Sequence, residues 1–102
     1  MPESEDDRDR PPTQRLDKWL WFARVVKSRT LAAELVALGR VRVNSARAGK
    51  ASRALKPGDV VTLAFGGRVL LLKVLAPGMR RGPPAEARAL YQLLSPDGAK
   101  PS

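Results

Sequence analysis

The chain has 102 residues, enough for one small domain with a modest core. It contains neither cysteine nor histidine, which excludes disulfides, thiolate nucleophiles, imidazole bases and nearly every ordinary zinc or iron site. Its formal charge of +9 is unevenly spread: residues 1–12 hold five acids and two arginines, residues 13–94 hold sixteen Lys/Arg against four acids, and residues 95–102 are neutral.

Residues 1–13 are acidic, proline-bearing and without apolar periodicity, so a disordered N-terminal tail is expected; SPDGAKPS at residues 95–102 reads the same way. The N-terminus lacks the apolar block of a signal peptide, and no apolar run approaches the roughly 18 residues of a membrane span, which makes a cytoplasmic protein the expectation. The folded domain is expected over residues 14–94. Leu16, Trp19, Leu20, Ala23 and Val26 recur at helical spacing and predict a helix with one buried stripe. Phe22 is expected in the core. Trp21 lies off the stripe, beside Asp17, Lys18 and Val25; it either packs against the C-terminal helix or stacks on a base or sugar. Ser28 offers an N-cap to a second helix, whose buried side is predicted as Leu31, Ala32, Leu35, Val36 and Leu38. Gly39 suits the left-handed residue that closes it.

Arg40-Val41-Arg42-Val43 alternates as a strand does when one face packs, so Arg40 and Arg42 share the outer face. Asn44-Ser45 can turn the chain into a cation-bearing loop over residues 46–55, with Arg47, Lys50 and Arg53. Lys56-Pro57-Gly58-Asp59 fits a type II turn, with proline second and glycine third. Two strands follow, Val60 to Phe65 and Arg68 to Leu75, joined at Gly66-Gly67 as a hairpin. Residues 77–84 form a Pro/Gly-rich loop with Arg80 and Arg81, and Ala85 to Leu94 is predicted as a last short helix with Leu90, Tyr91 and Leu94 on one side. The fold class is therefore α+β: two packed N-terminal helices, a small mainly antiparallel sheet and a short C-terminal helix.

Without histidine or cysteine, chemistry would rest on carboxylates. The domain has only Asp17, Glu34, Asp59 and Glu86, each isolated in sequence and each with a structural use, so paired acid–base catalysis, a metal and a cofactor are not expected. The protein reads as a non-enzyme. Asp17 reads as a first-turn helix charge or a partner for a nearby arginine. Between Arg15 and Lys56, eleven cations stand against two acids. Such a face repels itself without a partner, which points to a polyanion, either nucleic acid or an anionic membrane surface.

The ordered set Arg15-Leu16-Asp17, Leu20, Lys27-Ser28-Arg29, Ala32, Leu35, Gly39, Val41, Val43-Asn44 and Lys56-Pro57-Gly58-Asp59 covers residues 15–64. It resembles the RNA-binding domain family named after the fourth protein of the small ribosomal subunit, the S-four domain. Trp19-Leu20-Trp21, Arg80-Arg81, Glu86-Ala87 and Leu90-Tyr91 further resemble the stand-alone heat-shock protein fifteen family and its Gram-positive counterparts in ribosome quality control. The resemblance implies a stress-response or quality-control protein that binds ribosomal RNA of a large subunit still holding peptidyl-tRNA, with tRNA as a further partner, in rescue or recycling of stalled translation. A monomer with no membrane partner is expected. Two departures stand out: Ser45 replaces the family's usual turn glycine, and the chain stops soon after Leu94, without the long basic extension of the longer heat-shock members.

The residues themselves describe the same face. Lys27, Ser28 and Arg29 stand at the start of the second helix, where free N–H groups and the positive end of the dipole favour a phosphate. Arg15, Lys18 and Arg24 come from the first helix, and Arg40, Arg42, Arg47 and Lys50 from the strand and loop that follow. Asn44, more a turn residue than a base reader, completes the candidate RNA-binding set. A convex basic face of this kind grips backbone and shape rather than base edges. One other reading is a DNA-binding regulator of helix-turn-helix type, against which the strands after Gly39 speak. Another is the RNA-binding accessory of an RNA-modifying enzyme, for which the short chain is expected to hold no catalytic part.

Overall fold

The computed structural model describes residues 13–95. In chain order these form β1 (Gln14–Arg15), α1 (Leu16–Phe22), α2 (Arg29–Ala37), β2 (Val41–Val43), β3 (Ala46–Arg47), β4 (Ala54–Leu55), β5 (Val60–Phe65) and β6 (Arg68–Val74). Then come α3 (Pro84–Ala87), a 3-10 turn (Arg88–Leu90) and β7 (Tyr91–Ser95). Five strands make one antiparallel sheet in the order β3-β2-β5-β6-β7, and β4 pairs with β1 beside it. Most of the two tails expected from the sequence, residues 1–12 and 96–102, lies outside the described residues. Among the described residues no helix is long and apolar enough to cross a membrane.

The period-two and helical patterns meet in one core. Leu16, Trp19 and Leu20 of α1 and Ala32, Leu35 and Val36 of α2 pack with Val41, Val43, Val61, Leu63, Leu72 and Val74 of the sheet. Trp19 is fully buried; its indole N–H donates to the Ala76 carbonyl at 3.0 Å and its ring meets Tyr91 edge to face. Phe22 is buried as expected, while Trp21 is half-buried and tilted against Phe22 with ring centroids 5.5 Å apart.

Both helices end in the same backbone closure. In α2 the Gly39 N–H donates to Val36 and the Arg40 N–H to Leu35, with Gly39 at φ +77° as its position required. In α1 the Arg24 N–H donates to Trp21 and the Val25 N–H to Leu20, and here the left-handed residue is Arg24, at φ +61°. The first helix is therefore shorter than its stripe suggested. Ala23 and Val26 are still buried, but as part of the turn into α2 rather than of α1.

Three expectations need correction. Leu38 is 67% exposed: it and Leu31 lie to one side of the stripe centred on Ala32, Leu35 and Val36, and α2 stops before anything can cover it. The stretch from Tyr91 onward is a strand, not the end of a helix. Tyr91 and Leu93 pair with Val74 and Leu72, closing the edge that β6 would otherwise leave open, so helix remains only as α3 and its 3-10 extension. Finally, residues 46–55 are not loop throughout, because β3 and β4 form there.

Candidate nucleic-acid interface

The chain enters α1 without a side-chain cap. Instead, the loop between β3 and β4 supplies carbonyls: the Leu16 N–H donates to Arg53 at 2.8 Å and the Asp17 N–H to Ala51 at 3.0 Å. This brings the Lys50 loop against the start of α1. Asp17 is buried, and its carboxylate organises the surroundings. Arg15 grips it as a fork, Nε to Oδ1 at 3.1 Å and Nη2 to Oδ2 at 3.0 Å, while Arg29 Nη2 reaches Oδ2 at 3.4 Å and the Lys18 N–H donates to Oδ1 at 2.8 Å. Burial pushes the Asp17 carboxyl up, but the Arg15 hydrogen bonds and the nearby Arg15 and Arg29 charges outweigh it and hold the group below the usual carboxylate range. Asp17 is thus the arginine partner foreseen as one of its two roles.

The start of α2 lies beside this cluster. Ser28 Oγ accepts from the Leu31 N–H at 3.0 Å, as its N-cap position predicted. Arg29 follows in the first turn and Lys27 precedes it, exposed. A second group forms around the β2–β3 hairpin. Arg42 and Arg47 are register partners across it, and the Arg47 guanidinium lies against Gly39, where an added Cβ would meet Arg47 Cζ at 2.9 Å. Arg40 sits next to that glycine, exposed, and Arg42 Nη1 donates to the Ser45 carbonyl at 3.3 Å.

Asn44 and Ser45 turn the hairpin with φ of +53° and +74°, the left-handed pair of a type I′ turn. The Asn44 side chain is engaged inside the fold: Nδ2 donates to Asp59 Oδ1 at 3.0 Å and Oδ1 accepts from the Val60 N–H at 2.9 Å. Asp59 also accepts from the Lys56 N–H and Nζ, at 3.0 and 3.1 Å, so the KPGD turn is latched to the Asn44 turn. Burial works to raise the Asp59 carboxyl, and the bonds from Asn44 and Lys56 overcome it and lower it.

Two members of the sequence-derived set stand apart. Lys18 extends along α1, its Nζ 5.7 Å from the centre of the Phe22 ring. Arg24 turns away from Asp17 toward the C-terminal segment, where its Nε donates to the Gly82 carbonyl at 2.6 Å. Sequence reasoning missed Gln14, whose amide exchanges hydrogen bonds with both N–H and C=O of Gly78, at 2.8 and 2.9 Å, fastening β1 to the loop before α3. It also left Arg81 and Arg88 outside the candidate set. No local pattern marks the bonds of Gln14 or Arg81, whose partners lie more than 50 residues away, although Arg80-Arg81 was among the residues that carry the family resemblance.

A compact helical pair against an antiparallel sheet, with basic side chains fixed around the start of α2, defines a small RNA-binding domain of the S4 class. The S4 domain family matches residues 14–61. The chain is 42% identical over 82 residues to the RQC P-site tRNA stabilizing factor of Streptococcus pneumoniae, covering 79% of this chain and 90% of that protein. It is also 42% identical over 79 residues to the Heat shock protein 15 homolog of Haemophilus influenzae, covering 76% of this chain but only 59% of that longer relative. The solved trimeric structure of Vibrio cholerae Heat Shock Protein 15 is similar, with a TM-score of 0.76 at 36% identity over 81% of this chain and 83% of that one. The chain belongs to the S4-domain family that includes heat shock protein 15 and the RQC P-site tRNA stabilizing factors.

Proposed function

We propose that this protein binds structured RNA without catalysis, taking ribosomal RNA of a large subunit that still carries peptidyl-tRNA, in the rescue or recycling of stalled translation. The observation that carries the reading is the buried Asp17 carboxylate, which holds Arg15 and Arg29 beside the Ser28-capped start of α2. Arginines on a rigid carboxylate lose little freedom on meeting a phosphate, and the helix N-terminus adds backbone donors and dipole. Lys27, Arg40, Arg42, Arg47 and Lys50 extend the positive surface on either side. Asn44 serves this face by fixing the hairpin that carries Arg42 and Arg47. The names of the relatives, one a P-site tRNA stabilizing factor, favour the ribosome over other RNA. Against a helix-turn-helix reader stands the use of α2's exit: Gly39 leads directly into β2, and Arg47 of β3 covers that end.

Sedimentation with free large subunits, small subunits and intact ribosomes tests the reading, with co-sedimentation expected on the free large subunit. Equal affinity for duplex DNA and structured RNA, with no subunit association, overturns it. Replacing Lys27 and Arg29 with alanine is expected to weaken RNA binding by about 1–3 kcal/mol more than replacing Arg68 and Lys73, which removes the same formal charge. Equal losses in folded variants remove the assignment of the site.

A further inference from the structure

Away from Asp17, the described residues hold a second concentration of positive charge. Arg24, Arg81 and Arg88 line one recess of about 360 Å³, with Ala23, Ala87 and Tyr91 forming part of its wall. No carboxylate lines it. The acid of this segment, Glu86, is taken by Arg80 in a fork of 2.8 and 3.1 Å. That carboxylate packs against Gly82 at the edge of the recess, yet among the described residues none of the three recess guanidiniums hydrogen-bonds a carboxylate.

Two of them are anchored by main-chain carbonyls. Arg24 Nε donates to Gly82, while Arg81 donates from Nε to Trp21 at 3.2 Å and from Nη2 to Val26 at 3.4 Å. A guanidinium has five N–H donors, so these bonds orient the groups and leave donors over for an oxygen-rich ligand. Arg24 adds an independent sign. It occupies the left-handed position at the end of α1, φ +61°, where glycine or asparagine would be relaxed and arginine costs about 1–2 kcal/mol. A strained backbone and three concentrated like charges at one spot are what a binding site retains and a bare surface does not.

We infer that this recess binds a phosphate of an RNA strand, a second contact separate from the Asp17 face, with Arg24 acting alongside Arg81 and Arg88 rather than with Arg15 and Arg29. Tyr91, half-buried against Trp19, offers its remaining surface to the adjoining sugar or base. The inference rests on the RNA-binding reading above and adds a second grip to it.

The test follows the arginine Nε–Hε signals of the full chain by NMR during titration with a structured RNA hairpin and, separately, with inorganic phosphate. The hairpin is expected to shift Arg24, Arg81 and Arg88 at micromolar concentration, and inorganic phosphate to do so only at tens of millimolar. Arg88→Ala breaks no side-chain bond seen among the described residues. It is expected to weaken hairpin binding about three- to tenfold and to lower the log–log salt slope by about 0.7–0.9, without moving the melting temperature or the Arg15 and Arg29 signals. Shifts confined to Arg15 and Arg29, or an Arg88→Ala variant with wild-type affinity and slope, overturn the recess and spare the RNA-binding reading. Recess signals that saturate in sub-millimolar phosphate and ignore the hairpin also overturn it, since the ligand is then a free anion. A hairpin that moves no arginine signal overturns both.

Discussion

Asp17→Asn separates an organised site from a merely positive surface, because the two predict opposite signs. The substitution raises the net charge by one. On charge alone, RNA binding tightens: at roughly 7 Å in water one unit charge is worth about 0.6 kcal/mol, and less once salt screens it. The structure predicts the reverse. Arg15 and Arg29 both rest on the Asp17 carboxylate, and without it each must be re-ordered when RNA arrives, at about 0.5–1.5 kcal/mol per side chain. The net expectation is a loss of about 1 kcal/mol, close to a fivefold weaker Kd. Stability falls as well. Asn keeps an acceptor for the Lys18 N–H, and the arginine side chains, 51% and 41% exposed, can turn to water, so the cost is held to about 1–2 kcal/mol. In a domain of this size that lowers Tm by about 5–15 °C. Fluorescence anisotropy with a structured RNA at fixed salt, alongside a circular-dichroism melt, reads both quantities. A folded Asp17→Asn variant that binds more tightly than the parent refutes the organising role of Asp17.

Gly39→Val is expected to destabilise by at least about 1–2 kcal/mol in urea melts, since a β-branched residue at φ +77° also drives into the Arg47 guanidinium; unchanged stability contradicts the cap. Ser45→Gly is expected to stabilise by about 0.5 kcal/mol in the same assay, relief of the left-handed serine exceeding the added chain entropy, and a loss of stability contradicts this. Asn44→Ala removes two hydrogen bonds and sets alanine at φ +53°, so a drop of about 2 kcal/mol is expected, and a drop under about 0.5 kcal/mol denies the latch to Asp59. The folded-state carboxyls of Asp17 and Asp59 are both lowered, so their stabilisation is complete above the unfolded value near pH 4 and is lost as pH falls through the folded values. With no histidine in the chain, urea midpoints are expected to be flat from about pH 5 to 8 and to fall below about pH 4; a rise on acidification contradicts the sign.

Much of this was legible in the chain because its causes are local. The Leu16, Trp19, Leu20 spacing, the Ser28 cap, Gly39, the alternation of Val41 and Val43, and the glycine turns are each decided by a few neighbouring residues, and each holds in the fold. The dense positive charge was equally a property of sequence. What sequence did not decide was anything that depends on an edge or a distant partner. Tyr91 to Ser95 carries a pattern compatible with a short helix, and it becomes a strand because β6 offers an unpaired edge. Arg24 sits on a helical run with Arg15 and Lys18 in sequence. Only the left-handed turn at the end of α1 swings it to Gly82, Arg81 and Arg88, and only the buried Asp17 draws Arg15 and Arg29 together across 14 residues of chain. The kind and number of charges were written locally, whereas their grouping into two separate clusters depended on backbone closure and on which carboxylate or carbonyl each long side chain could reach.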